Sequence, residues 1–308
     1  MKKVSLIIPC FNEEKCVTLF YKNATQFFQQ LNKYDYELIF VNDGSIDNTK
    51  EMLHCLAEKD KKVKVVNFSR NFGQQSAMSA GFKIATGDCV AEMDCDGQDP
   101  MDALQPMLEK WEEGFHVVHA VREQRKGETW FKKLSAKFFY FFFNKLSKTK
   151  IQLDSGEFKL YDRKVVDTMN TIKEKEKYYR FITSWVGYKQ CSVKFVRNER
   201  MAGETKYNTK KLIKLANNTI ITNSTVPLYI SFKTGIVLSL LSILCMLTFM
   251  VLSICKVYLP LVSWVFPFVA LLFGIDFVLK GITNAYIDKI YMECKDRPDY
   301  IIDTTENL

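Results

Sequence analysis

Asp94 and Asp96 stand one residue apart in the stretch Glu92-Met93-Asp94-Cys95-Asp96-Gly97-Gln98-Asp99-Pro100. Two carboxylates so spaced on a loop can share one divalent cation and hold it against a diphosphate, because magnesium and manganese take oxygen ligands. Two more clusters of acids and small polar residues follow apolar runs: Asn12-Glu13 after Val4–Pro9, and Asp43-Gly44-Ser45 after Glu37–Asn42. Acids that merely cap turns account for any one of these clusters. They account less well for three of them. His54, His116 and His119 are too scattered for a histidine metal site or a catalytic triad. Neither GxGxxG after the first apolar run nor GxxxxGK[ST] occurs, so a phosphate must be neutralised by means other than the dinucleotide and P-loop solutions.

The elements that must position these groups alternate. Val4–Pro9, Glu37–Asn42, Val63–Asn67 and Asp88–Met93 read as buried strands; Asn12–Leu31, Asn48–Glu58 and Gln74–Ala85 read as helices packed on one side. Such alternation predicts a mostly parallel sheet covered on both faces, with ligands at the carboxyl ends of its strands. All three polar clusters fall there.

The chain has 308 residues and a formal charge of +8. With no zinc-finger spacing and no consensus of an RNA-binding module, that charge does not point to nucleic acid. It suits a phosphorylated substrate or anionic lipid. Nine cysteines without a CxxC pair read as reduced, packed thiols. The apolar run near the N-terminus stops at Pro9, too short for a signal sequence.

The C-terminal third differs. Thr234–Cys255 carries no formal charge, and about 20 apolar residues suffice to cross a hydrocarbon core of about 30 Å. A second apolar region, Val257–Tyr286, follows a short turn at Lys256–Pro260 and is interrupted by Pro260, Pro267, Asp276 and Lys280. Lys206, Lys210, Lys211, Lys214 and Lys233 precede the first span, and Lys289, Lys295 and Arg297 follow the second, so both flanks are expected on the cytoplasmic side. Asp276 and Lys280, four apart, share a helical face and can neutralise each other. Trp130–Leu146, with its aromatic run through Phe139–Phe143 and its lysines, and Lys211–Tyr229 read as amphipathic helices at a headgroup surface. A core helix or a subunit contact is the alternative for the former. The expected division is a catalytic domain over 1–230, a two-helix anchor over 231–289 and a cytoplasmic tail over 290–308.

Seven ordered blocks and the tail resemble bacterial polyprenyl-phosphate glycosyltransferases of glycosyltransferase family 2, bactoprenol glucosyltransferases among them, relatives of dolichyl-phosphate mannose synthase. The blocks are Ile7–Glu14 (IIPCFNEE), Phe40–Thr49 (FVNDGSIDNT), Asn67–Asp88, Glu92–Pro100, Asp154–Arg163 (DSGEFKLYDR), Trp185–Gln190 and Arg200–Tyr207 (RMAGETKY), with Ile290–Ile301 (IYMECKDRPDYI) beyond the second span. The resemblance implies an α/β catalytic domain of the GT-A, Rossmann-like kind, amphipathic interface helices and a C-terminal two-helix transmembrane hairpin. It implies that Pro9, Asn12 and Glu13 surround the nucleotide, that Asp43 accepts a hydrogen bond from the base, and that Asp94, Asp96 and Gln98 hold Mg2+ or Mn2+ with the donor diphosphate. Arg122, Lys133 and Ser135 correspond to positions that meet the acceptor phosphate. Glu157, Arg200 and Lys206 correspond to the acceptor loop. Asn42, Gly97, Glu157 and Lys159 depart from the family's common pattern, as does ITNAY within the second span.

The implied partners are a nucleotide sugar, with UDP favoured over GDP, a polyprenyl phosphate, the lipid bilayer and further copies of the chain, in a homo-oligomer such as a tetramer. The implied place is the bacterial inner membrane. An already ionised lipid phosphate needs no activated serine or histidine, which agrees with a histidine-poor site. Direct displacement with inversion at the sugar carbon follows. A processive polysaccharide synthase should carry more spans and a Q-x-x-R-W motif, and neither is present. A nonenzymatic membrane scaffold is the other alternative.

Overall fold

The computed structural model describes residues 1–122, 155–175, 177–196 and 261–308, with Val237, Leu244, Leu247, Thr248 and Ile254 between them. Strand β1 (Lys3–Cys10) lies beside β2 (Asp35–Asn42) and β4 (Cys89–Glu92), and β2 lies beside β3 (Val63–Phe68), all in parallel. The near-continuous apolar runs of β1 and β2 suit strands covered on both faces. Along β1 the side chains alternate between two cores. Leu6 and Ile8 pack with α1 (Val17–Leu31), α2 (Thr49–Lys59) and α4 (Leu104–Glu112). Ile7 packs with α3 (Gln74–Ile84), α5 (Arg163–Thr171) and α6 (Tyr179–Trp185). A Cβ on Gly81 would overlap the Ile7 side chain, so this glycine lets α3 lie close on β1.

Beyond β4 the simple alternation ends. Strand β6 (Ser155–Asp162) pairs antiparallel with both β4 and β5 (Val117–Arg122), while β5 pairs in parallel with β7 (Gln190–Phe195). At the other edge, β8 (Ile302–Glu306) pairs antiparallel with β3. The order is β7-β5-β6-β4-β1-β2-β3-β8. Six of the eight strands therefore run the same way, as expected of a mostly parallel sheet, and only β6 and β8 are reversed. Its parallel core is the run of β-α units, and the antiparallel strands are returns that no crossover helix announces.

The first helix also begins later than its polar start suggested, at Val17 and not Asn12. Asn12 has φ 54°, outside the helical region, and its side chain is committed to the neighbouring loop. The helix ends at Asn32 in the left-handed conformation, whose N–H bonds back to the Phe28 carbonyl.

A separate unit ending at Asp296 contains α7 (Leu261–Cys294), a single helix of 34 residues that passes through Pro267 and beyond the expected end at Tyr286. Lys280 Nζ donates to Asp276 Oδ2 at 2.6 Å, the pairing their spacing predicted. Among the described residues no helix is long and apolar enough to cross a membrane. The expected first span, Thr234–Cys255, lies outside them but for the five positions named above. The interface segments Trp130–Leu146 and Lys211–Tyr229 lie outside them entirely. Within the segment expected as a tail over 290–308, Ile302–Glu306 supplies β8 to the main sheet, and residues from Arg297 onward belong to the unit that holds that sheet.

Candidate active site

Hydrogen bonds join the loops at the carboxyl ends of the first four strands in series. In the loop after β1, the Asn12 N–H donates to Ser45 Oγ at 2.9 Å and Asn12 Oδ1 accepts from the Ile46 N–H at 2.9 Å. The Glu13 N–H donates to Thr49 Oγ1 at 2.9 Å, and Glu14 Oε2 accepts from the Asn48 N–H and Nδ2 at 3.2 and 3.0 Å. Short polar residues are needed on both sides because each spends its side chain on the other loop's backbone. Pro9, at the end of β1, donates no N–H there.

The second loop is tied to the third by Asp43. Its Oδ1 accepts from the Phe72 N–H at 2.7 Å and its Oδ2 from the Gly73 N–H at 2.9 Å, at the entrance to α3. Burial pushes this carboxyl up from its ordinary value, against the two N–H donors and Arg70, which pull it down. Gly44 has φ +65°, and a Cβ there would run into the Arg70 and Asn71 backbone, so the two loops pass too closely for any other residue. The base-recognition role expected for Asp43 thus falls on a carboxylate that also braces the loop before α3.

The third loop reaches the fourth through Gln74, whose Nε2 donates to Asp94 Oδ1 at 2.8 Å. Asp96 Oδ1 accepts from the Gln98 N–H at 3.0 Å in a tight turn where Gly97 takes φ 71°. Cys95 between the two acids is packed in the core and anchors the loop. Among the described residues no group of three His, Cys, Asp or Glu side chains could hold a metal. Two carboxylates followed two residues later by a glutamine form a hard-oxygen donor set. It fits Mg2+ or Mn2+ only if further oxygens come from a diphosphate and water.

Two more expected residues share this edge of the sheet. Because β6 is antiparallel to both β4 and β5, the end of β5 at Arg122 points the same way as the end of β4. Arg122 Nε is buried without a hydrogen-bond partner among the described residues. Glu157, near the start of β6, accepts from Arg180 Nη2 of α6 at 2.9 Å. Lys133, Ser135, Arg200 and Lys206 lie outside the described residues.

Beneath Asp94 runs a buried polar row. Glu92, Lys159 and His119 face one another in register across β4, β6 and β5. Lys159 is wholly buried with its Nζ 4.0 Å from Glu92 Oε1. Burial pushes the Glu92 carboxyl well up against the pull of Lys159. His119 Nε2 stands 2.8 Å from Gln190 Oε1, and Gln190 Nε2 donates to the Thr183 carbonyl, so Nε2 carries the proton. Burial lowers the His119 pKa to about 4, leaving the ring neutral near pH 7. Sequence reasoning assigns no role to Gln74 or Glu92, although both fall in blocks that carry the family resemblance. Both act across long sequence separations, and only the alternation of strands hints that their neighbours meet.

The chain is similar to known proteins along most of its length. The glycosyl transferase family 2 profile matches residues 5–169. The chain is 43% identical to the uncharacterized glycosyltransferase YkcC of Bacillus subtilis (strain 168), covering 97% of this chain and 92% of that protein. It is 37% identical to the bactoprenol glucosyl transferase of Shigella phage SfII, covering 97% of each, and 37% identical to a prophage bactoprenol glucosyl transferase homolog of Escherichia coli (strain K12), over 97% of this chain and 98% of the other. Among solved structures, glucosyl-3-phosphoglycerate synthase of Mycobacterium tuberculosis, bound to phosphoglyceric acid, aligns with a TM-score of 0.49 at 17% identity, covering 72% of this chain and 78% of that one. The α/β sheet, with its parallel run of β3, β2, β1 and β4, is consistent with the GT-A, Rossmann-like fold expected from the family resemblance. The chain is a glycosyltransferase and belongs to glycosyl transferase family 2.

Proposed function

We propose that this enzyme transfers a sugar from a UDP-sugar, UDP-glucose or UDP-N-acetylglucosamine, to a polyprenyl phosphate such as undecaprenyl phosphate, with inversion. The observation that carries this reading is the series of hydrogen bonds bringing Asn12, Glu13, Asp43 and Asp94 to one edge of the sheet, on a chain alignable end to end with bactoprenol glucosyl transferases. The loops after β1 and β2 take the nucleoside, with Pro9, Asn12, Glu13 and Asp43 around it. Asp94, Asp96 and Gln98 would hold Mg2+ or Mn2+, which when bound offsets the charge that develops on the leaving diphosphate. Arg122 meets the acceptor phosphate, together with Lys133 and Ser135. Arg200 and Lys206 close over the diphosphate, and Glu157 orients the acceptor loop. The lipid phosphate is its own nucleophile, so the residues have to hold two anions in line and exclude water, and no side chain has to be deprotonated.

The enzyme is anchored in the bacterial inner membrane through its two apolar regions, Thr234–Cys255 and Val257–Tyr286, with its catalytic domain on the cytoplasmic side. The uncharged first stretch and the flanking lysines support this. Trp130–Leu146 lies at the headgroups, and the enzyme assembles as a homo-oligomer. The deciding experiment incubates the purified full-length chain with undecaprenyl phosphate and, separately, UDP-glucose, UDP-N-acetylglucosamine and GDP-mannose, reading lipid products by mass. A polyprenyl phosphate heavier by one hexose or N-acetylhexosamine, formed from a UDP-sugar and Mg2+ or Mn2+, is expected. Absence of product from every donor would overturn the reading.

A further inference from the structure

The entrance and first turn of α3 are held by four partners remote in sequence. Phe72 and Gly73 donate their N–H groups to the two oxygens of Asp43. Gln74 Nε2 donates to Asp94 Oδ1 at 2.8 Å. Gln75 Oε1 accepts from the Tyr179 N–H at 3.1 Å, at the start of α6. Ser76 Oγ lies 3.2 Å from the Asp299 carbonyl, in the segment leading to β8. Successive residues thus reach a different loop, strand end or helix, and the backbone that carries Gln74 is braced from several sides.

We propose that Gln74 is a positioning residue for the Asp94/Asp96 centre, fixing the plane of the Asp94 carboxylate so that it meets a cation and diphosphate without reorienting. The proposal rests on the donor-site reading of Asp94 given above. A glutamine at a helix start has no local reason to reach a carboxylate in the loop after β4, since a solvated amide is as well satisfied. An amide also suits this role because a neutral donor orients Asp94 while leaving its negative charge for the cation, whereas a lysine at the same reach would cancel that charge. Groups that hold a metal ligand from behind commonly change metal affinity or activity by about 10- to 100-fold when removed. Arg180, next to Tyr179, donates to Glu157 at 2.9 Å, so the same turn of α3 is joined through Gln75 and α6 to the acceptor side.

The test is Mn2+ binding to the full-length chain in detergent, titrated in the presence of UDP and followed by electron paramagnetic resonance, with thermal unfolding measured alongside. Gln74→Met keeps length and helix preference but removes the donor. It is expected to raise the Mn2+ Kd by about tenfold or more while the unfolding midpoint stays within a few degrees. Gln75→Met, which loses an acceptor facing α6, is expected to leave the Mn2+ Kd within about twofold of wild type. Should Gln74→Met fail to fold, Gln74→Asn keeps the amide but shortens its reach and weakens Mn2+ in the same direction. Wild-type Mn2+ affinity in a folded Gln74 variant overturns the proposal, as does a wild-type chain that binds no Mn2+ with UDP. A wild-type chain that binds Mn2+ and UDP yet glycosylates no polyprenyl phosphate overturns the acceptor reading instead, and the Mn2+ titration still decides the role of Gln74.

Discussion

Lys3 Nζ lies 2.6 Å from Glu37 Oε2, an ion pair between adjacent strands in which the carboxylate is buried. Lys64 Nζ stands 3.0 Å from the same oxygen, Ser5 Oγ donates to Oε1 at 2.6 Å and the Thr86 N–H donates to Oε1 at 2.7 Å. Burial opposes the charge, but these donors together overcome it and hold the Glu37 pKa at about 2, against 4.5 ordinarily. The folded pKa is depressed, so the stabilisation is full above the unfolded value and is lost as pH falls from about 4.5 towards about 2. At neutral pH it is on the order of 3 kcal/mol. Glu37→Gln is therefore expected to lower the unfolding midpoint at pH 7 and to flatten its fall between pH 5 and 3, as seen by circular dichroism at each pH. A variant whose acid profile tracks wild type would show that Glu37 is not a main source of acid sensitivity.

At the carboxyl ends of the strands, Asp96→Asn is expected to lower turnover by at least about 100-fold without loss of fold, because one neutral oxygen replaces a charged ligand on a loop that Cys95 anchors. The loss should exceed any change in the unfolding midpoint. Sugar transfer measured across Mg2+ and Mn2+ titrations checks it. Rates equal to wild type at all metal concentrations would remove Asp96 from the metal set.

What could be read in the sequence divides at β4. The apolar runs and helical spacing up to Met93 locate β1, α1, α2, α3 and their neighbours to within a few residues, because each β-α unit announces itself by a change of period. Strand β6 carries Glu157, Lys159 and Tyr161 at alternate positions on one face, so it lacks the apolar run that marks a central strand. Strand β8 is short and polar with exposed residues, as an edge strand can be, and it reads as tail. The Asp94/Asp96 pair is evident from spacing. Gln74 is not, since a helix-start glutamine looks the same whether it faces water or a carboxylate 20 residues away.

The buried row under the site makes a stability prediction. Lys159 Nζ has no hydrogen-bond partner among the described residues and stands 4.0 Å from Glu92, itself buried. Removing one member of such a pair leaves the other without compensation, and breaking a buried pair commonly costs about 3 to 5 kcal/mol. Lys159→Met alone is expected to destabilise the fold by about 3 kcal/mol, whereas Lys159→Met with Glu92→Met should recover wild-type stability or exceed it. Chemical denaturation of the two single variants and the double variant gives the coupling directly. Additive losses in the double variant would show that the two side chains do not compensate each other.

The last prediction concerns the returning tail. His54 Nδ1 lies 2.9 Å from Glu306 Oε2 and its Nε2 lies 3.5 Å from Glu58 Oε1, joining α2 to the final residue of β8. The Glu306 carboxylate beside the ring, aided by Glu58, raises the His54 pKa above 6.5. A raised folded value means that the contact is fully present below about 6.5 and weakens as pH rises through the folded pKa. Lys50 pairs with Asp303 at 2.8 Å, and Asn307 Nδ2 donates to the Ala57 and Val63 carbonyls, so these neighbours hold the strand at either pH. Protection of the β8 amides against hydrogen exchange, corrected for the intrinsic rate at each pH, is therefore expected to fall modestly between pH 6 and pH 8.5. The fall should be confined to the end of the strand near Glu306, because the Lys50–Asp303 pair holds the strand nearer its start. His54→Gln should abolish the pH dependence while leaving protection at pH 8.5 near the wild-type level. An unchanged pH dependence in this variant would assign it to another group, and the His54–Glu306 contact would then contribute nothing measurable to holding the tail on the sheet.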